Sequence, residues 1–322
     1  MRLMYNITSQ DIVRLTFEEG YGTAIWGIRY CLDRAFEEIG ALTISTGKLP
    51  IEEELIILLE YKPTIFMDVS SRINLLTNEL KKIYDLQKLG ITKILLGAEP
   101  TPNSMRKNIE NAWKTDAYIG YGTTELGMLI AGECQEKHGM HLSEINFLTE
   151  IIDPKTGEQL EEGEIGELVF TTFNREGMPL LRYRSHDIGR VIPECCPCGI
   201  PLKKIEIKGR TDDMVTIGAG DNFFTRILDN IIFSLPEVLE YRAILERRNG
   251  KDKITITAET TIINDFIRKK IINAIMQLPE IKNGVLTSKT IAEPIIELVK
   301  PNTLHQDSIK AKRIIDNRNL YD

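Results

Sequence analysis

Blocks of apolar and polar residues alternate through the first hundred positions of the chain. RYCLDRAFEEIG (29–40) reads as a helix, and ALTIS (41–45) as a short apolar strand ahead of a Thr-Gly turn. IEEELIILLEY (51–61) predicts a second helix and PTIFMDV (63–69) a buried strand. LLTNELKKIYDLQKLG (75–90) reads as a third helix stopped by Gly90, and ITKILLGAEP (91–100) as a strand closed at Gly97. Helices alternating with apolar strands predict an α/β fold, a mostly parallel sheet with helices layered on its faces.

Near residue 147 the pattern changes. NFLTEIIDPKTGEQLEEGEIGELVFTTF (146–173) has short strands broken by DPKTG and EEGEIG turns, which predicts antiparallel hairpins or a small β-barrel-like subdomain. Beyond GRTDDM (209–214) it changes again. YRAILERRNGKDKITITAE (241–259) reads as a hairpin and TIINDFIRKKIINAIMQL (261–278) as an amphipathic helix. The expected layout is an α/β portion at 1–145, an antiparallel β subdomain at 146–211 and a C-terminal α+β domain at 212–322, with its boundary near Asp212.

Composition narrows the function classes. The 322 residues suffice for two or three domains, and the net charge of −7 opposes a nucleic-acid footprint, which needs clustered Lys and Arg. No apolar run is long enough to cross a bilayer, and MRLMYNITSQ lacks the apolar segment of a signal peptide, so the chain reads as cytoplasmic. Cys31 and Cys134 stand alone, whereas Cys195, Cys196 and Cys198 crowd into ECCPCG. In an intracellular chain such a cluster points to a metal rather than to disulfides.

The densest chemistry lies at GYGTTE (120–125). Ligands of open α/β sheets sit beyond the carboxyl ends of the strands, and GAEP (97–100) and GYGTTE are two such ends. Gly97 and Ala98 would let a flat ring lie on the backbone and Tyr121 could stack on it. Thr124 could donate to a phosphate oxygen and Glu125 could hold Mg²⁺. The same residues fit a turn leading into a helix N-terminus, with Thr124 as cap and Glu125 facing the dipole. In PLLRYRSHDIGRV (179–191), Asp187 could accept both hydroxyls of a ribose, or pair with Arg182 or Arg184.

GAEP, YGTTE, EIIDPKTGE, GEIGELVFTTF, MPLLRYRSHDI and GRTDDM follow one another in this order. In that order they resemble the phenylacetate–coenzyme A ligase branch of the adenylate-forming ligases, from about residue 20 to the C-terminus. The resemblance implies that Tyr121 stacks on adenine opposite Gly97, Ala98 and Glu99, with Gly122 in the same loop. Thr124 would contact the α-phosphate, Glu125 would bind Mg²⁺, Asp187 would hold the ribose and Arg210 would reach the nucleotide. Asp212 matches the hinge of a C-terminal lid, and SIKAKRIIDNR (308–318) the segment with the catalytic lysine, here Lys310. ATP and a small carboxylate would give an acyl-adenylate, which coenzyme A then takes up.

For a metal, Cys134, Cys196 and Cys198 with one imidazole, from His138 or His141, would give three thiolates and an imidazole, a closed zinc site of structural type. The resemblance selects Cys134, His141, Cys196 and Cys198 and leaves Cys195 and His138 outside. TIGAGDNFF (216–224) is no dinucleotide loop, because the third glycine of that motif would fall at Phe223. It departs from the family's segment, which weakens the implication of coenzyme A. The family's Ser/Thr/Gly-rich loop ending in Gly-Lys has no counterpart either; ISTGKLP (44–50) lies past its place and reads as a turn. Three readings follow: an adenylating ligase working alone, with a second chain that supplies the missing segment, or as a homodimer; an enzyme that adenylylates a deazaflavin, as in the coenzyme F-390 synthetases; and a non-catalytic nucleotide-binding scaffold.

Overall fold

The structure is a computed structural model that describes residues 2–16, 23–211, 214–218, 221–301, 303–304 and 313–318. The chain divides into two compact units, Met1–Thr101 with Ile109–Thr211, and Pro102–Asn108 with Asp212–Asp322. No described helix is long and apolar enough to cross a membrane.

The first unit begins with α1 (Arg2–Tyr5), β1 (Ile12–Leu15), α2 (Thr23–Ile39), β2 (Leu42–Ser45), α3 (Ile51–Tyr61), β3 (Ile65–Val69), α4 (Ser70–Leu80) and β4 (Lys93–Gly97). After α5 (Asn103–Trp113), whose residues to Asn108 belong to the second unit, it continues with β5 (Asp116–Thr123), β6 (Gly127–Glu133), β7 (Met140–Leu142), β8 (Phe147–Ile152), β9 (Gly166–Thr172), β10 (Tyr183–Ile192) and β11 (Lys204–Arg210). All eleven strands form one sheet in the order β2-β1-β3-β4-β5-β6-β7-β11-β10-β9-β8. Strands β2, β1, β3, β4 and β5 are parallel, and every pairing beyond β5 is antiparallel. The antiparallel part therefore begins within β5, at Gly120, ahead of residue 146, and continues the parallel sheet instead of standing apart from it.

The change of direction falls inside β5. Its first half, Asp116–Ile119, pairs with β4, and its second half, from Gly120, pairs with β6. The sequence GYGTTE thus begins where the sheet switches from parallel to antiparallel. Burial explains the strands: Phe66 and Leu96 are closed off from solvent, and Phe66 meets Trp113 edge-on at 5.8 Å. The Trp113 indole N–H donates to Thr77 Oγ1 at 2.7 Å, which satisfies the one polar atom of a buried ring.

Arg14 is fully buried in β1 and forms a fork with Glu54 of α3, at 2.7 and 2.8 Å. Its remaining donors reach the carbonyl oxygens of Leu15, Ile44 and Gly47. A buried ion pair is tolerated when all its hydrogen bonds are made, and this one ties the ends of β1 and β2 to α3.

The helix expected over 75–90 differs most from the structure. It starts at Ser70, directly after β3, and stops at Leu80; a 3-10 turn at Leu86–Leu89 follows. Asp85 accepts from the Gln87 N–H and fixes that turn, and Gly90 closes it with φ +76°.

The second unit holds the hairpin β12 (Met214–Ile217) and β13 (Asp221–Phe224), then α6 (Thr225–Ile232), β14 (Val238–Arg248) and β15 (Lys251–Thr260). It ends with α7 (Asp265–Ile275), α8 (Pro279–Leu286), β16 (Ile295–Val299) and β17 (Ile314–Asp316), and its main sheet runs β16-β15-β14-β17. Asn249 and Gly250, both at positive φ, turn the expected hairpin. The expected helix over 261–278 is shorter, because Asn264 Oδ1 caps it by accepting from Ile267 N–H at 2.9 Å.

Candidate nucleotide site and metal cluster

β5 runs on through Thr123, and a tight turn at 124–126 leads into β6, so no helix starts here. The reading of Thr124 as a helix cap is thereby corrected. Thr123 closes the turn, its Oγ1 accepting from the Leu126 N–H at 3.2 Å. Leu126 is buried and anchors the turn, while Thr124 and Glu125 stand exposed. Gly122 passes so close to β6 that a Cβ there would lie 2.3 Å from the Met128 carbonyl oxygen. The glycine is required by this close approach.

Three distant residues meet beside this turn. The Tyr121 hydroxyl donates to Asp187 Oδ2 at 2.5 Å, and Arg210 Nη1 donates to Asp187 Oδ1 at 3.1 Å. Asp187 is only 5 % exposed, so its charge is held by these donors in a low-dielectric setting. Burial raises the Tyr121 phenol, and the neighbouring Asp187 charge raises it further, which keeps the hydroxyl a donor. The Tyr121 ring lies tilted on Phe170, 6.5 Å between centroids, within the core of the antiparallel strands.

Arg182 and Arg184 are not the partners of Asp187. Arg182 pairs with Glu150 at 3.3 Å, and Arg184 pairs with the buried Glu167. His186, at φ +61°, sits in an irregular stretch of β10 where the pairing with β9 shifts between Arg184 and Ile188. Such an irregularity re-aims a side chain, and here the next residue is Asp187. The sequence reading missed Tyr183. Burial raises its phenol, and the charge of Glu125 raises it further while Arg210 lowers it, so Tyr183 is within electrostatic reach of both the turn and the Asp187–Arg210 pair.

The second strand end is built differently from expectation. Ala98 has φ +64°, a strained backbone for a residue with a Cβ, right after the end of β4. Glu99 turns its carboxylate to the N-terminus of α4, where Oε1 accepts from Ser70 Oγ at 3.0 Å and Ser71 N–H at 2.5 Å. Its side chain is a helix cap, so only its backbone can line a ring.

Asp68, at the end of β3, is a buried acid that the sequence pattern did not single out. It accepts from Thr16 Oγ1 and from Val69 N–H, yet burial pushes its carboxyl up to about 6. The folded state thus keeps this proton up to about pH 6, whereas the unfolded chain releases it near 3.8. In that window the folded state binds more protons, and stability falls as pH rises through it. Asp68→Asn cannot ionise and is expected to gain on wild type by roughly 2–3 kcal/mol between pH 4 and 7.5. Urea unfolding at both values checks this, and a pH-independent difference would contradict it.

The four cysteine and histidine side chains assigned from the resemblance come together. The ligand atoms of Cys134, His141, Cys196 and Cys198 all lie within 4.8 Å of one another. Cys134 and Cys196 sulfurs are 3.6 Å apart, and Cys198 Sγ is 3.3 Å from His141 Nε2. A tetrahedron with metal–sulfur bonds of about 2.3 Å has corners roughly 3.8 Å apart, which fits a four-ligand zinc site. His141 Nδ1 faces the Leu202 carbonyl at 3.2 Å, leaving Nε2 to the cluster. Burial pushes the Cys134 thiol up to about 12, so its thiolate needs a cation. Cys195 is exposed and outside the cluster, and His138 faces Lys204 Nζ at 3.5 Å. Gly139 shapes the β6–β7 loop, with φ +83° and a Cβ position 2.4 Å from Ile192 Cδ1. Asp212 and Lys310 lie outside the described residues.

Residues 40–174 match the AMP-binding enzyme family, and residues 220–318 match the AMP-binding enzyme C-terminal domain. The phenylacetate–coenzyme A ligase of Thermus thermophilus is 33% identical over 235 residues, covering 72% of this chain and 52% of that protein. That of Pseudomonas putida is 29% identical over 317 residues, 96% of this chain and 69% of that protein. The chain thus spans between half and about two thirds of the length of these relatives. Among solved structures, 2-hydroxyisobutyryl-CoA ligase in the postadenylation state with 2-HIB-AMP superposes with a TM-score of 0.82 at 20% identity, covering 97% of this chain and 66% of that one. Motifs, fold and sequence likeness agree: the chain belongs to the AMP-binding enzymes and is similar to the phenylacetate–coenzyme A ligases among them.

Proposed function

We propose that this chain is an ATP-dependent ligase that joins the carboxylate of an aryl or acyl acid to AMP and then passes the acyl group to coenzyme A. The observation that carries this reading is Asp187, a buried carboxylate that accepts from Tyr121 and Arg210 beside the 123–127 turn. In this reading Asp187 accepts the ribose hydroxyls, the Tyr121 ring packs on adenine, and the Gly97–Ala98–Glu99 backbone lines the other face. Gly122 lets the turn approach the ligand, and the exposed Thr124 donates to the α-phosphate. Glu125 would hold Mg²⁺, which supplies positive charge against the phosphates when bound. Asp212 is the proposed hinge, and Lys310 the cation that meets the reacting carboxylate and phosphate.

The acid's oxygen attacks the α-phosphorus, the bond to the β-phosphate oxygen breaks, and pyrophosphate leaves. This chain's part is positioning and electrostatic stabilisation. Cys134, His141, Cys196 and Cys198 would hold a structural zinc, which ties the β6–β7 loop to the loop between β10 and β11. The free thiols fit a cytoplasmic setting. GAGDNFFT (218–225) favours a second reading for the acceptor, a deazaflavin that takes the adenylyl group directly.

Exchange of labelled pyrophosphate into ATP tests the proposal. Phenylacetate, other aryl acids and a deazaflavin are each supplied with Mg²⁺. Exchange that depends on a carboxylate is expected. Adenylyl transfer to the deazaflavin alone would favour the second reading, and AMP binding without either would make the chain a nucleotide-binding scaffold.

A further inference from the structure

Among the cations near the 123–127 turn, Arg175 has no role in the site described so far. It belongs to the β9–β10 connection, a loop closed at its base by Thr172 and Leu180. Thr172 N–H donates to the Leu180 carbonyl at 2.9 Å, and Leu180 N–H to Thr172 Oγ1 at 3.0 Å. From this fixed base Arg175 reaches across to the turn, where its Nη1 donates to the Glu125 carbonyl oxygen. Its Nη2 lies over Gly127, so near that a Cβ there would come within 3.2 Å. Gly127, at φ +105°, accordingly leaves room for the guanidinium.

The pairing of this arginine is unusual for a chain of net charge −7. Arg182, Arg184, Arg190 and Arg210 each sit on a carboxylate. Among the described residues Arg175 has that one carbonyl and no carboxylate. A guanidinium carries five donors in a planar fork suited to phosphate oxygens, and one carbonyl uses one of them. The fork stands on the backbone of Glu125, in the turn directly after β5, whose Tyr121 donates to Asp187. A cation without an acidic partner among the described residues, near the Tyr121–Asp187–Arg210 group, is suited to the anionic end of the proposed ligand.

We propose that Arg175 is a pyrophosphoryl-binding residue of this site, taking the β- and γ-phosphates of a nucleoside triphosphate and, after reaction, the pyrophosphate. The inference rests on the nucleotide reading of the Tyr121–Asp187–Arg210 group and adds to it the residue that distinguishes ATP from AMP. The carbonyl of Glu125 orients the guanidinium, so one turn would present a carboxylate for the metal and an arginine for the phosphates.

The test is calorimetric titration of AMP, ATP and pyrophosphate, each with Mg²⁺, into wild type, Arg175→Gln and Arg175→Lys. Arg175→Gln is expected to weaken ATP and pyrophosphate at least tenfold and to leave AMP within twofold, with Arg175→Lys in between. Thermal unfolding of each variant runs alongside. Equal loss of AMP and ATP overturns the proposal, because Arg175 then only props the turn. An unchanged ratio of ATP to AMP affinity overturns it too, as does a loss confined to free pyrophosphate. If wild type binds AMP in any of these outcomes, the nucleotide site stands without Arg175. If wild type binds no AMP, the nucleotide reading falls and takes this inference with it.

Discussion

Asp187→Ala is expected to weaken both AMP and ATP by about 100-fold or more. The carboxylate sits at the centre of the group, and a charged hydrogen bond to a ligand contributes roughly 1.5–3 kcal/mol. Two ribose hydroxyls accepted by one buried carboxylate bring the loss to about 3 kcal/mol or above, and each 1.4 kcal/mol is tenfold. The substitution also leaves the Tyr121 hydroxyl and Arg210 without their acceptor, so some loss of stability accompanies it. Asp187→Asn separates the two effects. It keeps the shape and one acceptor oxygen, and is expected to hold its melting temperature more closely while still losing most nucleotide affinity. Equal affinity in wild type and Asp187→Ala would show that the ribose lies elsewhere.

The second large effect is expected at the cysteine and histidine cluster. Purified protein should carry one equivalent of zinc, and Cys198→Ser or Cys134→Ser should lose it. Binding energy at a structural zinc site is folding energy, because the unfolded chain offers no preformed site. Losing the metal should cost about 4 kcal/mol or more, a fall of roughly 10 °C in melting temperature for a unit of this size. Cys195→Ser and His138→Ala serve as controls and should change neither metal content nor melting temperature, since both residues lie outside the cluster. Metal analysis that finds no zinc, or an equal fall for Cys195→Ser, would contradict the assignment.

Local periodicity carried much of the fold. The helix at 51–61, the strands after it and the Asn-Gly hairpin at 249–250 are set by nearby residues, and the structure places them where the pattern does. The start of α4 was not readable in this way. Glu99 accepts from the Ser71 N–H and the Ser70 hydroxyl at the first turn of that helix, some 29 positions away, and no window of sequence contains both. The same holds for Asp68, whose raised carboxyl comes from burial that only the assembled sheet creates.

The site was legible in a different way. Tyr121 stood out because a strand end so rich in small and polar residues is unusual, Asp187 because it follows an arginine-rich strand, and Arg210 came from the resemblance alone. The bonds among them span 66 and 23 positions and became visible only through the pairing of β10 with β11. Tyr183 and Arg175 carried no such signal, for an aromatic at a strand start and an arginine in a loop are ordinary features. What marks them is their neighbours in space. The metal ligands fall between these cases: ECCPCG was conspicuous, the resemblance chose His141 over His138, and the structure sets His141 against Cys198 while His138 faces Lys204.

The measurement that tests the central claim most directly is calorimetric titration of AMP into the purified chain with Mg²⁺. It needs no knowledge of the acid or of the acceptor. One AMP per chain in wild type, lost in Asp187→Ala, is the result this account predicts. A folded protein that takes up no AMP would contradict it.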